Sequence, residues 1–124
     1  MRSGRSLNYL VLLIFSPFLI LAGILGFIPT SQTGLTSGAS AYNIFHIVFG
    51  LLGLVLVLMK REVLIRAFNI GFGLIDIYQA LASFAHLFPE QYFRWTVTDD
   101  VLHVVIGLGL LLIGFHRPTS RPGA

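Results

Sequence analysis

Three histidines fall where they could share a bound metal ion or cofactor. His46 and His103 each lie near the start of an apolar stretch, and His86 lies near the end of another, with acidic residues nearby. Three imidazoles with carboxylates close by suit zinc or copper, whereas two opposed imidazoles suit the axial positions of a haem. Gly50 and Gly107 follow His46 and His103 by four residues, where a flat macrocycle could approach the backbone. The pattern therefore raises two hypotheses, a three-histidine metal site and a two-histidine haem site.

Helix capping and helix packing explain the same residues without a cofactor. Asn43 and Asp100 are good N-cap residue types, and each precedes a histidine by three positions, the spacing of a capping box. The histidine would then hydrogen-bond back to the cap or across to a neighbouring helix. Close helix contact would be allowed by four glycines, namely Gly50, Gly53, Gly107 and Gly109. We therefore expect no cofactor as the leading hypothesis, with haem, pigment or metal binding as the alternative.

A stripe of polar side chains follows one face of the third apolar stretch. Its members are spaced by three or four residues, which places them on the same side of a helix. They are Asn69, Gly73, Asp76, Gln79, Ser83 and His86. Asp76 lies near the middle, so in a bilayer its carboxyl group must be protonated or partnered. It would either carry protons or small solutes, or hold helices together as a neutral hydrogen-bonding group.

The secondary-structure elements that position these residues are predicted to be helices that cross a lipid bilayer. The chain is 56% hydrophobic and only 10% charged, whereas soluble domains carry about 25% charged residues. A bilayer needs about 20 helical residues, and four stretches predict an all-α membrane protein with helices at about residues 8–28, 43–59, 63–88 and 101–115. The second and fourth are short, and we expect them to extend about one turn into their flanks. A single domain over 1–124 is predicted, with a disordered tail at 118–124.

Basic residues set the predicted orientation. Only Arg94 falls on the opposite side from the other basic residues, which are Arg2, Arg5, Lys60, Arg61, Arg66, Arg117 and Arg121. By the positive-inside bias, the side that holds these seven basic residues is cytoplasmic. Both termini are therefore predicted to be cytoplasmic in a bacterial inner membrane. This distribution accounts for the basic pI, and no nucleic-acid partner is expected. Tyr42, Tyr92 and Trp95 would lie at the outer interface.

The sequence contains a short internal repeat. The second apolar stretch begins Asn-Ile-Phe-His and the fourth Asp-Val-Leu-His, and both continue after three residues with Gly-Leu. The first stretch ends Gly-Phe-Ile-Pro and the third His-Leu-Phe-Pro. Each copy starts on the same predicted side of the membrane. The pattern therefore predicts two parallel helix-pair repeats, related by an axis along the membrane normal.

These motifs also carry a family resemblance. The chain resembles a bacterial four-helix membrane family catalogued as domain of unknown function 4383, over about residues 8–115. The resemblance rests on Gly23 to Phe27, on Asn43, His46 and Gly50, and on Asp100, His103 and Gly107. It implies the same four-helix architecture, and it implies no activity because that family has none assigned. Asp76 is not part of the pattern.

No motif of a known catalytic type occurs in the sequence. It lacks a phosphate-binding glycine loop, a zinc-protease helix and a nucleophile turn, and it has no cysteine. We therefore expect a protein that is not an enzyme, acting as an accessory or structural subunit with other membrane proteins or with copies of itself. The alternatives are a small redox protein that uses the histidines, and transport along the polar stripe.

Overall fold

The fold is described by a computed structural model for residues 6–28 and 36–116, and every regular element there is a helix. The helices are α1 (Leu7–Gly26), α2 (Ser40–Met59), α3 (Glu62–Ala85), the short α4 (Glu90–Phe93) and α5 (Val97–Phe115). All except α4 are long and apolar enough to cross a membrane. The predicted all-helical architecture with four candidate membrane helices is thus confirmed for the described residues, while the predicted tail at 118–124 lies outside them.

Helix boundaries depart from the predictions mainly where chain direction changes. As expected, α2 and α5 start about one turn earlier than their apolar stretches, at Ser40 and Val97. By contrast, α3 stops at Ala85 because His86 adopts a left-handed backbone conformation with φ 58°, which ends a helix by turning the chain away from its axis. Residues 86–96 then form an excursion that contains α4. For orientation, the end of the bundle with this excursion is called the Trp95 end, and the opposite one the Lys60 end.

The predicted N-caps are wrong. Ala39 is the N-cap of α2 and Thr96 that of α5, so Asn43 and Asp100 lie inside the first turns of their helices. In α5 the Thr96 hydroxyl accepts from the backbone N–H of Asp99, and the Asp99 carboxylate accepts from that of Thr96, a complete capping box. The polar residue nearest the apolar stretch is therefore not the cap, because the helix continues into the polar sequence before it.

The four long helices pack as two pairs, α1 with α2 and α3 with α5. In each pair a glycine brings the backbones together. A Cβ atom on Gly50 would lie 2.9 Å from the Ser16 carbonyl oxygen, and one on Gly107 would lie 2.9 Å from the Gly73 carbonyl oxygen. The predicted role of Gly109 in helix contact is wrong, since a Cβ atom there would meet nothing within 4 Å.

The two pairs bury corresponding positions. His46 and His103 are 57 positions apart in the sequence, and both are buried. Other buried residues of α2 and α5 fall at the same separation: Tyr42 and Asp99, Gly50 and Gly107, Gly53 and Leu110, and Val57 and Gly114. The carbonyl oxygens that the paired glycines approach, of Ser16 and Gly73, are also 57 positions apart. The same helix-to-helix contact is therefore built twice.

Aromatic rings fill the space between the pairs. The ring of Phe72 in α3 has its centroid 5.4 to 5.7 Å from those of Phe15 in α1 and Phe45 and Phe49 in α2, and the last two are 4.5 Å apart. Of the three aromatic residues predicted to lie at the outer interface, Tyr42 and Trp95 are buried within the protein. Only Tyr92 of that predicted group is exposed. The interior of the bundle thus contains aromatic rings from α1, α2 and α3 as well as the buried Tyr42 and Trp95.

Near the Lys60 end, two asparagines link the pairs. The Asn69 side-chain amide donates to the side-chain oxygen of Asn8 at 2.9 Å and to its backbone carbonyl at 3.2 Å. The Asn8 amide in turn donates to the carbonyl of Ile113 at 3.2 Å. Such bonds matter because lipid offers no hydrophobic driving force between helices. Asn8 therefore joins α1 to both α3 and α5.

We expect Asn8→Leu and Asn69→Leu to destabilise the protein by non-additive amounts. Their coupling energy in a double-mutant cycle should be about 0.6–1.7 kcal/mol, the range for hydrogen bonds between helices in a membrane. The measurement is the free energy of unfolding in a mixed detergent titration. A cycle between Asn69 and Asn43, which lie at opposite ends of the bundle, is the control and should give a value near zero. Additive effects for Asn8 and Asn69 would contradict the link.

Candidate functional site

The polar stripe of α3 turns largely toward the interior. Asn69 and Gln79 are buried, and Asp76 is only 2% exposed, whereas Ser83 is half-buried. Asp76 packs against α5, where a Cβ atom on Gly107 would lie 3.1 Å from its own Cβ. The Asp76 carboxyl group makes no hydrogen bond or ion pair with any described residue. The stripe therefore faces a neighbouring helix along this stretch.

The predicted three-histidine metal site is not formed. The His86 side chain is 82% exposed, and its Nδ1 lies 3.8 Å from the Glu90 carboxylate. His86 is the left-handed residue that ends α3, and it is not among the residues that line the cavity shared by His46 and His103. Within residues 6–28 and 36–116, no group of three or more His, Asp or Glu side chains is arranged to hold a metal ion.

His46 and His103 do line one cavity, at the Trp95 end of the bundle. The Nδ1 of His46 lies 2.7 Å from the backbone carbonyl oxygen of Tyr42, and it must therefore carry the proton that it donates. The His103 ring meets the Trp95 ring edge to face at 6.2 Å. Its Nδ1 is buried and has no hydrogen-bond partner. The two imidazoles thus face the same space with different hydrogen-bond arrangements.

The glycines predicted to admit a haem are occupied by helix packing. A Cβ atom on Gly50 would lie 2.8 Å from the backbone nitrogen of Ile20, and one on Gly107 would lie 3.0 Å from the side chain of Ile77. Both glycines therefore face a neighbouring helix rather than a space for a macrocycle. This removes the observation that favoured a haem between His46 and His103.

Beside the cavity, Asp99 organises a buried cluster with Ser37, Tyr42 and Thr96, called here the Asp99 cluster. One carboxylate oxygen accepts from the Tyr42 hydroxyl at 2.7 Å. The other accepts from the backbone N–H of Ser37 at 2.8 Å, from that of Thr96 at 2.9 Å and from the Thr96 hydroxyl at 3.1 Å. The Ser37 hydroxyl donates to the carbonyl of Phe93. One carboxylate thus ties together α2, α5 and the two segments that precede them.

This cluster is the part of the site that the sequence analysis missed. Thr96 and Asp99 do carry a signal, since a Thr three residues before an acidic residue at the start of an apolar stretch is a capping-box pattern. Ser37 carries none, because it lies in a Ser/Thr/Gly-rich connection that reads as a simple linker. Tyr42 carries no such signal either, since it lies 57 positions before Asp99 in a different apolar stretch and nothing local in the sequence pairs the two.

The fold and this site are those of a multi-pass membrane protein, with four candidate spans among residues 6–28 and 36–116 and a cavity lined by two histidines at one end. A scan against protein-family models and searches of curated proteins and of solved structures found no match to the chain. The resemblance to the four-helix family therefore stays a prediction. Function has to be argued from the residues themselves.

Proposed function

We propose that this chain is a non-catalytic subunit that acts through other membrane proteins, or through copies of itself, rather than by its own chemistry. The observation that carries the proposal is the small amount of described chain outside the spans. Lys60 and Arg61 alone join α2 to α3, and residues 86–96 join α3 to α5. No room remains in these connections for a separate catalytic unit.

Use of the buried polar side chains supports the same proposal. The Asp99 cluster connects α2 with α5, and Asn8 connects α1 with α3 and α5. The Arg66 guanidinium also donates to the carbonyl of Gly114 at 2.6 Å, between α3 and α5. These bonds hold helices to one another. They do not form a nucleophile with an adjacent base, which covalent catalysis requires.

Two further features of the proposal concern architecture. We place the Lys60 end in the cytoplasm of a bacterium, because seven of the eight basic residues fall, in the sequence, before, after or in the first two turns of the helices whose ends meet there. We also propose that the chain arose from two parallel helix-pair repeats. Support comes from the equal separation of buried positions in α2 and α5 and from the matching glycine contacts.

The test of a subunit role is the native mass of the protein, extracted from its own membranes in a mild detergent. We expect recovery in a particle larger than one 13.7 kDa chain plus its detergent, with companion proteins or further copies identified by mass spectrometry. Extraction in a harsh detergent, which separates most subunits, is the control. A monomer in the mild detergent would contradict the proposal.

Proton or solute transport along the α3 stripe is the alternative function, and Asp76 gives it a direct test. We expect Asp76→Asn to change the free energy of unfolding by no more than about 1 kcal/mol, because a neutral amide replaces a carboxyl group that has no cationic partner. Proton flux into proteoliposomes should be the same for the native protein and the variant. A flux that is present in the native protein and lost in the variant would favour transport instead.

A further inference from the structure

The cavity at the Trp95 end has the size and composition of a small-molecule site. It lies between α1, α2 and α5 and has a volume of about 440 Å³, within the range of about 300–1,000 Å³ for ligand pockets. Its apolar wall includes Phe15 and Leu19 of α1 and Ile106 of α5. Its polar end is formed by His46 and His103 together with Thr36, Ser37, Tyr42 and Asp99. A ligand that fits has an apolar body and a small polar head.

Hydrogen bonding within the protein leaves few groups free for that head. The two oxygens of Asp99 accept four hydrogen bonds from the Asp99 cluster, so they offer little to a ligand. In His46, Nδ1 already donates to the Tyr42 carbonyl, so in the neutral imidazole Nε2 is an acceptor without a proton. His103 adds a buried Nδ1 that has no partner. The polar end therefore calls for a ligand that donates a hydrogen bond.

The charges around the cavity narrow the chemical class of the ligand further. An anionic head would be placed beside the Asp99 carboxylate, and a metal cation would find two imidazoles with no third free ligand in the described chain. The wall of the cavity also includes Phe18 of α1 and Leu102 of α5, whose side chains are exposed, so the cavity is not closed off from the surface of the bundle. A lipophilic molecule can therefore reach the cavity from the bilayer between α1 and α5.

We propose that this cavity binds a neutral, hydroxyl-headed lipophile, such as a lipophilic phenol, whose O–H donates to Nε2 of His46. The apolar body lies along Phe15, Leu19 and Ile106. Binding of this kind does not depend on whether the protein also acts as a subunit. It assigns the two histidines to recognition of a membrane-soluble ligand rather than to a metal or a haem.

Trp95, the one tryptophan of the sequence, reports on this site because its ring contacts His103. The probes are 4-nonylphenol and its methyl ether, 4-nonylanisole, which has almost the same shape but cannot donate a hydrogen bond. Each is titrated into the full chain in lipid nanodiscs while Trp95 fluorescence is followed with excitation at wavelengths that the phenol does not absorb. Protein-free nanodiscs correct for partitioning into lipid.

We expect a saturable change with the phenol and an apparent Kd for the ether that is higher by roughly three- to tenfold, the effect of one hydrogen bond. In His46→Phe this preference should disappear, and in His86→Phe, at an exposed position outside the cavity, it should remain. The idea fails if neither probe saturates, if the two bind equally well to the native protein, or if His46→Phe keeps the preference. The comparison in the native protein stands even if His46→Phe does not fold.

Discussion

Gly107→Leu is expected to lower the free energy of unfolding by about 3 kcal/mol or more, the upper part of the range for overpacking. A Cβ atom there would lie 2.9 Å from the Gly73 carbonyl oxygen, so the clash is with backbone and a change of side-chain rotamer cannot relieve it. α5 would have to move away from α3. The measurement is unfolding in a mixed detergent titration, with thermal denaturation as a second readout.

The matched control is Gly109→Leu, two residues further along the same helix. A Cβ atom on Gly109 would meet nothing within 4 Å, and leucine favours helix by nearly 1 kcal/mol relative to glycine. We therefore expect a neutral or slightly stabilising effect at that position. Gly50→Leu, at the corresponding position of α2, should destabilise the protein about as much as Gly107→Leu. Equal effects at Gly107 and Gly109 would show that the backbone contact is not what limits the residue at position 107.

The second large effect is expected for Asp99→Ala, which should cost about 3–5 kcal/mol of stability. The change leaves the hydroxyl of Tyr42 and the backbone N–H groups of Ser37 and Thr96 without their acceptor. An unsatisfied buried donor costs about 1–3 kcal/mol, and the loss of a buried charged partner costs more. The same unfolding titration measures it, and Trp95 fluorescence should show the loosening of this end of the bundle.

Asp100→Ala provides the control for this prediction, since it removes the neighbouring carboxylate from the same turn. One oxygen of Asp100 is buried and has no hydrogen-bond partner, so its loss leaves no donor unsatisfied there. We expect a change below about 1 kcal/mol. If Asp99→Ala proves as mild as Asp100→Ala, the Asp99 cluster is not what joins α2 to α5.

Local sequence patterns were sufficient to predict the candidate membrane helices and some of the residues buried between them. The four candidate membrane helices follow from stretches of apolar residues, since each helix satisfies its own backbone hydrogen bonds and needs no partner to be recognised. The spacing of Asn69, Asp76 and Gln79 likewise placed them on one face, and all three are buried. The predicted helix ends were less accurate, because polar residues such as Ser40 in α2 and Thr98 and Asp99 in α5 extend a helix without adding to its apolar pattern.

The sequence by itself determined that this is a membrane protein with four candidate spans, because the hydropathy of each apolar stretch can be read without knowing its neighbours. Only the tertiary structure decided which residues share a site. His86 lies apart from the other two histidines because α3 ends there in a left-handed backbone conformation. Gly50 and Gly107 pack against neighbouring helices and leave no space for a macrocycle. The Asp99 carboxylate accepts hydrogen bonds from Tyr42 and Ser37, which lie far from it in the sequence. Such choices depend on how each helix is rotated against its neighbours, and that rotation is set by packing between helices rather than by the pattern within any one of them.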